Sequence, residues 1–136
     1  MEPRPAETYS VEAANAALPK VRRLVETIVL RVAALPELQE TARVAEYRAN
    51  RDGAGASDEQ ALDAARHALQ SAELDLAGAV ARLDRMGVAL KDPRVGLVDF
   101  YGYREGELVE LCWKLGEHAV ANWHRIGEGY AGRKPL

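Results

Sequence analysis

The sequence predicts an α+β fold, in which a long antiparallel helical hairpin, coiled-coil-like, packs with a small C-terminal antiparallel β-sheet. Three observations predict it. Two long segments carry apolar residues at alternating steps of three and four, the spacing of a helix seam. Between them lies "NRDGAGASD", a polar break with two glycines and capping residues. From Val88 onward the composition shifts to β-branched and aromatic residues flanking "REG", a turn signal.

The chain has 136 residues, the length of one domain spanning residues 1–136. Residues 1–8, "MEPRPAET", hold two prolines and read as a loose arm. Ser10 is placed to cap the first helix, over residues 10–50, with Glu12 or Glu7 supporting that turn electrostatically. Leu18, Val21, Val25, Ile28, Val32 and Leu35 form its seam. Pro19 suits a first helical turn, so residues 11–18 read as a separate short helix or turn. Pro36 is expected to kink or restart the helix, because it removes a backbone donor and crowds the preceding turn.

Ser57 or Asp58 is the expected cap of the second helix, over residues 57–87. Its seam is Leu62, Ala65, Leu69, Ala72, Leu76, Ala79, Leu83 and Met86, and Gly87 closes it. Two such helices joined by a short polar loop make an antiparallel hairpin, whose seams are core or a dimer interface.

Residues 88–127 form the β cassette. A two-residue loop at Glu105–Gly106 sets Val98 opposite Trp113, Asp99 opposite Cys112, Phe100 opposite Leu111 and Tyr101 opposite Glu110. Val98, Phe100, Val109, Leu111 and Trp113 then share an apolar face, while Asp99, Tyr101, Glu110 and Cys112 share the other. A one-residue slip would mix the two sets. The apolar face is expected on the helices, since two strands alone are unstable. Residues 117–126 fit either a helix or a strand, with the extended form preferred. As a strand they put Val120, Asn122, His124 and Ile126 on one face and Trp123 on the other. Residues 128–136 are a glycine-rich tail, long enough to lie across another surface, including that of a second subunit.

Composition excludes several functions. A net charge of −3 with no basic stripe argues against nucleic acid. No run approaches a membrane span and no apolar leader opens the chain, so neither membrane nor export is expected and the cytoplasm is the default. The one cysteine, Cys112, excludes an internal disulfide and paired-thiol zinc motifs. Alanine-rich helices with 6% aromatics give a thin core, which points to a homo-oligomer, specifically a dimer.

Chemistry-bearing residues concentrate in "LCWKLGEHAVANWHRIGEGY", residues 111–130. Metal binding is the first candidate, with Glu117 and His124 at its centre and Glu128 four residues beyond His124. Asp99, Cys112 and Arg133 are the candidate ligand-binding residues nearby. Imidazole, carboxylate and thiolate together suit a divalent transition metal, zinc or iron. Two other constellations stay open. Cys112 with His124 or His118, oriented by Asp99, would be a nucleophile pair. Asp99, Glu110 and Glu117 with His124 would be an acid–base cluster. A non-catalytic structural or interaction protein using its heptad hairpin for dimerisation is the competing function.

The segments "YSVEAANAALPKV", "GLVDF", "LCWKLGE", "WH" and "GYAGRKPL", in that order across the chain, resemble a bacterial family, the domain of unknown function numbered twenty-two hundred and three. The motifs fall on Asp99, Cys112, Trp113, Gly116, Glu117, Trp123, His124, Gly132, Arg133 and Pro135. Two departures stand out: "VDFYGY" where a proline often follows the phenylalanine, and "GEHA" where "GEPE" is common. Neither removes a candidate polar residue. The resemblance implies a functional polar cluster on these positions and carries no established reaction.

Overall fold

A computed structural model describes residues 7–136, so most of the arm expected over residues 1–8 lies outside the described residues. Ser10 opens helix α1, Val11–Ala49, and its hydroxyl accepts from the Ala13 N–H at 3.0 Å. That satisfies one of the donors a helix start leaves unpaired. The helix runs unbroken for 39 residues. This corrects the expectation at both prolines, since neither Pro19 nor Pro36 divides it. Both prolines sit at exposed positions. Leu18 and Val21 on either side of Pro19 are buried, so ending the helix there would forfeit more packing than the one lost hydrogen bond.

Helix α2 spans Ala56–Arg85 and is capped by Gly55 rather than by Ser57 or Asp58. Asp58 contributes from three residues further on, its carboxylate accepting from the Gly55 N–H at 3.1 Å. Gly87, at φ 74°, follows the last turn in the left-handed conformation that ends many helices. The hairpin forms along the expected seams. Ala14, Leu18, Val21, Leu24, Val25 and Ile28 of α1 are buried, as are Ala65, Ala72, Ala79 and Leu83 of α2. The buried alanines allow close approach of the helices, and Leu62, Leu69 and Leu76 flank them half-buried. Ion pairs Arg31–Asp75 at 3.2 Å and Arg66–Glu46 at 3.9 Å bridge the two helices. No helix among the described residues is long and apolar enough to cross a membrane.

Five antiparallel strands follow in the order of the chain: β1 Val88–Asp92, β2 Leu97–Arg104, β3 Glu107–Lys114, β4 Asn122–Arg125 and β5 Lys134–Pro135. The β2–β3 register is the one the patterning dictates, with Val98 opposite Trp113, Asp99 opposite Cys112, Phe100 opposite Leu111 and Tyr101 opposite Glu110. Glu105 at φ 52° and Gly106 at φ 78° make the two-residue turn, whose twist suits a hairpin. Val98, Phe100, Val109, Leu111 and Trp113 join the α1 seam in one core. The turn before β2 comes so close to α1 that a Cβ on Gly96 would lie 2.8 Å from Val25 Cγ1 and 2.7 Å from Leu115 Cβ, so only glycine fits.

The preference for an extended segment near residues 117–126 holds for β4. Val120 differs from expectation: it precedes the strand and packs into the core. A side chain of α1 puts it there. Asn15 Oδ1 accepts from the Val120 N–H at 2.8 Å, and Asn15 Nδ2 donates to the Val120 carbonyl at 3.1 Å. The amide thus mimics a strand partner where none is available. Trp113 Nε1 donates to the Glu117 carbonyl at 3.1 Å and holds the same loop from its other end. The tail turns back onto its own sheet, where β5 pairs with β4 and the Leu136 N–H reaches the Ala121 carbonyl at 2.9 Å.

Replacing Asn15 with Ala leaves the buried Val120 amide unpaired. We expect a loss of about 1–3 kcal/mol in denaturant unfolding; an unchanged midpoint would show that other contacts hold this loop.

Candidate functional site

Alternation along three adjacent strands decides which side chains meet. Because Val98 and Phe100 face the helices, Asp99 between them faces away. The same logic turns Glu110 and Cys112 of β3, and Asn122 and His124 of β4, to that side. Register brings them together: Asp99 opposite Cys112, Cys112 opposite Asn122, and Glu110 opposite His124. This polar side is nonetheless closed, with Asp99, Cys112, Glu110 and His124 each no more than 3% exposed.

The tail supplies the cover. Gly127 and Gly129 adopt φ of 89° and 71°, and together with Tyr130 they line a cleft that also exposes edges of Asp99, Glu110 and His124. Arg133 clamps the Glu117 carboxylate with two guanidinium nitrogens, Nη1 at 3.0 Å from Oε1 and Nη2 against Oε2. Its Nη1 also lies 4.0 Å from Cys112 Sγ, and Tyr130 stacks on the guanidinium at 4.2 Å from its ring centre.

The imidazole of His124 is oriented by its neighbour's backbone. Nδ1 lies 2.9 Å from the Arg125 carbonyl, which can only accept, so Nδ1 carries a hydrogen. In the neutral ring Nε2 then presents a lone pair. That lone pair faces both oxygens of Asp99 at 3.2 Å, with Glu110 Oε2 at 3.8 Å. Acceptors aimed at acceptors in a buried site require a proton or a metal ion between them. A backbone carbonyl fixing one nitrogen so that the other can ligate is the usual support of a metal-binding histidine.

Glu110 Oε2 has no hydrogen-bond partner among the described residues. The Lys91 ammonium stands 3.4 Å from it as an ion pair. Burial, then the neighbouring Glu110 carboxylate, pushes the Asp99 carboxyl up to about 7, against the opposing pull of His124. Burial, then the Asp99 charge, pushes the Cys112 thiol up to about 12, although Arg133 works the other way. A thiol so held is no nucleophile at neutral pH without a cation to displace its proton.

One ligand atom each from Asp99, Cys112 and His124 lies within 4.8 Å of the others. Donors around one zinc-sized ion at about 2.0–2.3 Å stand about 3.3–3.8 Å apart, so a contraction of about 1 Å closes the shell. This buried triad can coordinate a divalent metal. The residues predicted from sequence thus divide. Asp99, Cys112 and His124 meet, and Arg133 stands at the edge. Glu117 lies outside the cluster, gripped by Arg133 and accepting from the Lys114 N–H at 2.8 Å, and the Arg133 guanidinium lowers its pKa. Glu128 accepts from the Arg125 N–H at 2.7 Å and pairs with Lys134 at 3.3 Å. His118 is exposed. Glu110, which the acid–base grouping set with Asp99 and His124, joins them, standing opposite His124 in the register.

The model of a family described as "Uncharacterized conserved protein (DUF2203)" matches residues 7–136. No curated protein and no solved structure matches the chain.

The raised Asp99 pKa sets the pH dependence of the metal-free protein. Between about 4 and about 7, the folded state keeps a proton that the unfolded chain has lost. Its stabilising effect is complete below the ordinary value of 3.8 and disappears as pH rises through about 7. Chemical denaturation should therefore show stability falling over this window, and Asp99→Asn should flatten the fall. A slope that the substitution leaves untouched would locate the titration elsewhere.

Proposed function

The chain belongs to the DUF2203 family, and we propose that it is a metal-binding module whose divalent transition ion is held by Asp99, Cys112 and His124. The observation that carries this reading is the convergence of His124 Nε2, its ring set by the Arg125 carbonyl, with the Asp99 carboxylate and a buried thiol. A divalent cation would neutralise one carboxylate and one thiolate in a place where neither is otherwise tolerated. One nitrogen, one oxygen and one sulfur donor suit zinc first and ferrous iron second. With three protein ligands, a fourth position remains for Glu110 or an exchangeable ligand. Glu117 and Arg133 act one step removed, pinning the tail over the sulfur.

Self-association through the hairpin is the second reading. It rests on Leu30 and Leu74, each 65% exposed, and on a shallow groove between the helices lined by Leu24, Leu74 and Ala79. It concerns a different surface from the metal centre, and both can hold.

Elemental analysis of protein purified without a histidine tag should find close to one equivalent of zinc or iron per chain, and a chelator should lower its melting temperature. Cys112→Ser and His124→Ala should each bind metal at least tenfold more weakly, in the range produced by loss of a ligand or its support. Less than about a tenth of an equivalent, with melting indifferent to chelation, would contradict the proposal. For the hairpin, a dimeric solution mass that falls to that of a monomer in Leu30→Glu/Leu74→Glu supports association, and a monomeric wild type excludes it.

A further inference from the structure

The hairpin outruns its core. The main core cluster takes no buried residue from α1 beyond Ile28 or from α2 before Ala79. Past those points the buried positions are alanines alone, Ala45 on α1 and Ala65 and Ala72 on α2, while Leu35, Leu38, Leu62 and Leu69 are only half-buried. Two helices joined this way remove little apolar area from water. At the start of this stretch Leu30 and Leu74 are each 65% exposed, and the Arg31–Asp75 ion pair at 3.2 Å places them at one level of the hairpin.

Charges on α1 are arranged about Leu30. Arg23 stands seven residues before it and Glu37 seven after, Glu12 eighteen before and Arg48 eighteen after. At about 100° per residue these positions fall within about 40° of one another around the helix, so they make one stripe. All are exposed, and the stripe is therefore the side of α1 that neither α2 nor the sheet covers. The ion pairs of α1 use Arg31, Glu40, Arg43 and Glu46. The four charges of the stripe have no ion-pair partner among the described residues.

Read backwards through Leu30, the stripe exchanges each charge for its opposite. A second α1 laid antiparallel, Leu30 against Leu30, sets Arg23 against Glu37 and Glu12 against Arg48, each twice. No two residues of like charge stand at equal distances from Leu30 anywhere in the helix. A two-fold interface demands this kind of self-complementarity, in which residue i meets j and j meets i. A parallel pairing would set every charge against its own kind, so the pattern selects direction as well as register.

Resting on the hairpin association proposed above, we infer that its occupant is a second copy of this chain, docked antiparallel through the α1 stripe with Leu30 on the two-fold axis. Leu30 and Leu74 form the apolar centre of the interface. Arg23 and Glu37 of each copy flank it and fix the register.

Sedimentation of the full-length chain at low ionic strength should give a dimer. Arg23→Glu and Glu37→Arg should each weaken association at least about tenfold, because either reversal turns two attractive pairs into repulsive ones. Both positions are exposed, so each variant should keep its helical circular dichroism. The double variant Arg23→Glu/Glu37→Arg regenerates both pairs and should return to within about threefold of the wild-type affinity. A parallel dimer would not respond in this way, since its like-charge contacts survive every one of these changes. A dimer that the single reversals leave intact, or that the double variant fails to restore, overturns this inference and leaves association through the hairpin in another register standing. A monomeric wild type overturns both.

Discussion

The structure turns on the burial of Asp99 against His124. Their contact, at 3.2 Å from Nε2 to each carboxylate oxygen, sits on the side of the sheet away from the helices. A two-layer α+β domain would ordinarily leave that side to water. Instead Cys112 and Glu110 join them there, all but inaccessible. Burying this much ionisable chemistry is unfavourable unless protons, an ion pair or a metal ion compensate it. The tail's course and the grip of Arg133 on Glu117 enclose the cluster, and the Lys91 ammonium pairs with Glu110 at its edge.

The enclosure depends in turn on the opposite face. Five apolar side chains of β2 and β3 fix the sheet on α1, and strict alternation makes the placement of Asp99 and Cys112 a consequence of where Val98, Phe100, Leu111 and Trp113 must go. Asn15 extends the same control to β4. By holding Val120 in the core it determines where the next strand begins, and so that His124 lands opposite Glu110. A helix residue with no contact to the cluster thereby positions its histidine.

Much of this was legible in the residues. The 3–4 seams and the hairpin register follow from local periodicity, which acts within and between neighbouring segments. Asp99 and Cys112 could be paired from patterning alone for the same reason. Three things were not legible. The prolines read as breaks because their local penalty is visible in sequence, whereas the burial of Leu18 and Val21 that outweighs it is not. Val120 read as part of a strand because its partner is a side-chain amide 105 residues away. The relation of Glu117 to His124 depended on whether residues 117–121 were regular, and they are a loop. Glu117 therefore faces the tail's Arg133, while His124 enters the sheet. Glu110 was legible on the polar face and in the acid–base grouping with Asp99 and His124. What makes it distinctive is an unpartnered oxygen, which exists only once β4 and the tail have closed over it.

X-ray absorption at the metal edge of the zinc-loaded protein tests the central claim most directly, because it reads the donors themselves. One sulfur scatterer at about 2.3 Å with nitrogen and oxygen neighbours at about 2.0–2.2 Å, including the outer-shell pattern of a single imidazole, is the result expected for Asp99, Cys112 and His124. A shell of light atoms alone, with no sulfur, would place the ion away from Cys112 and contradict the account.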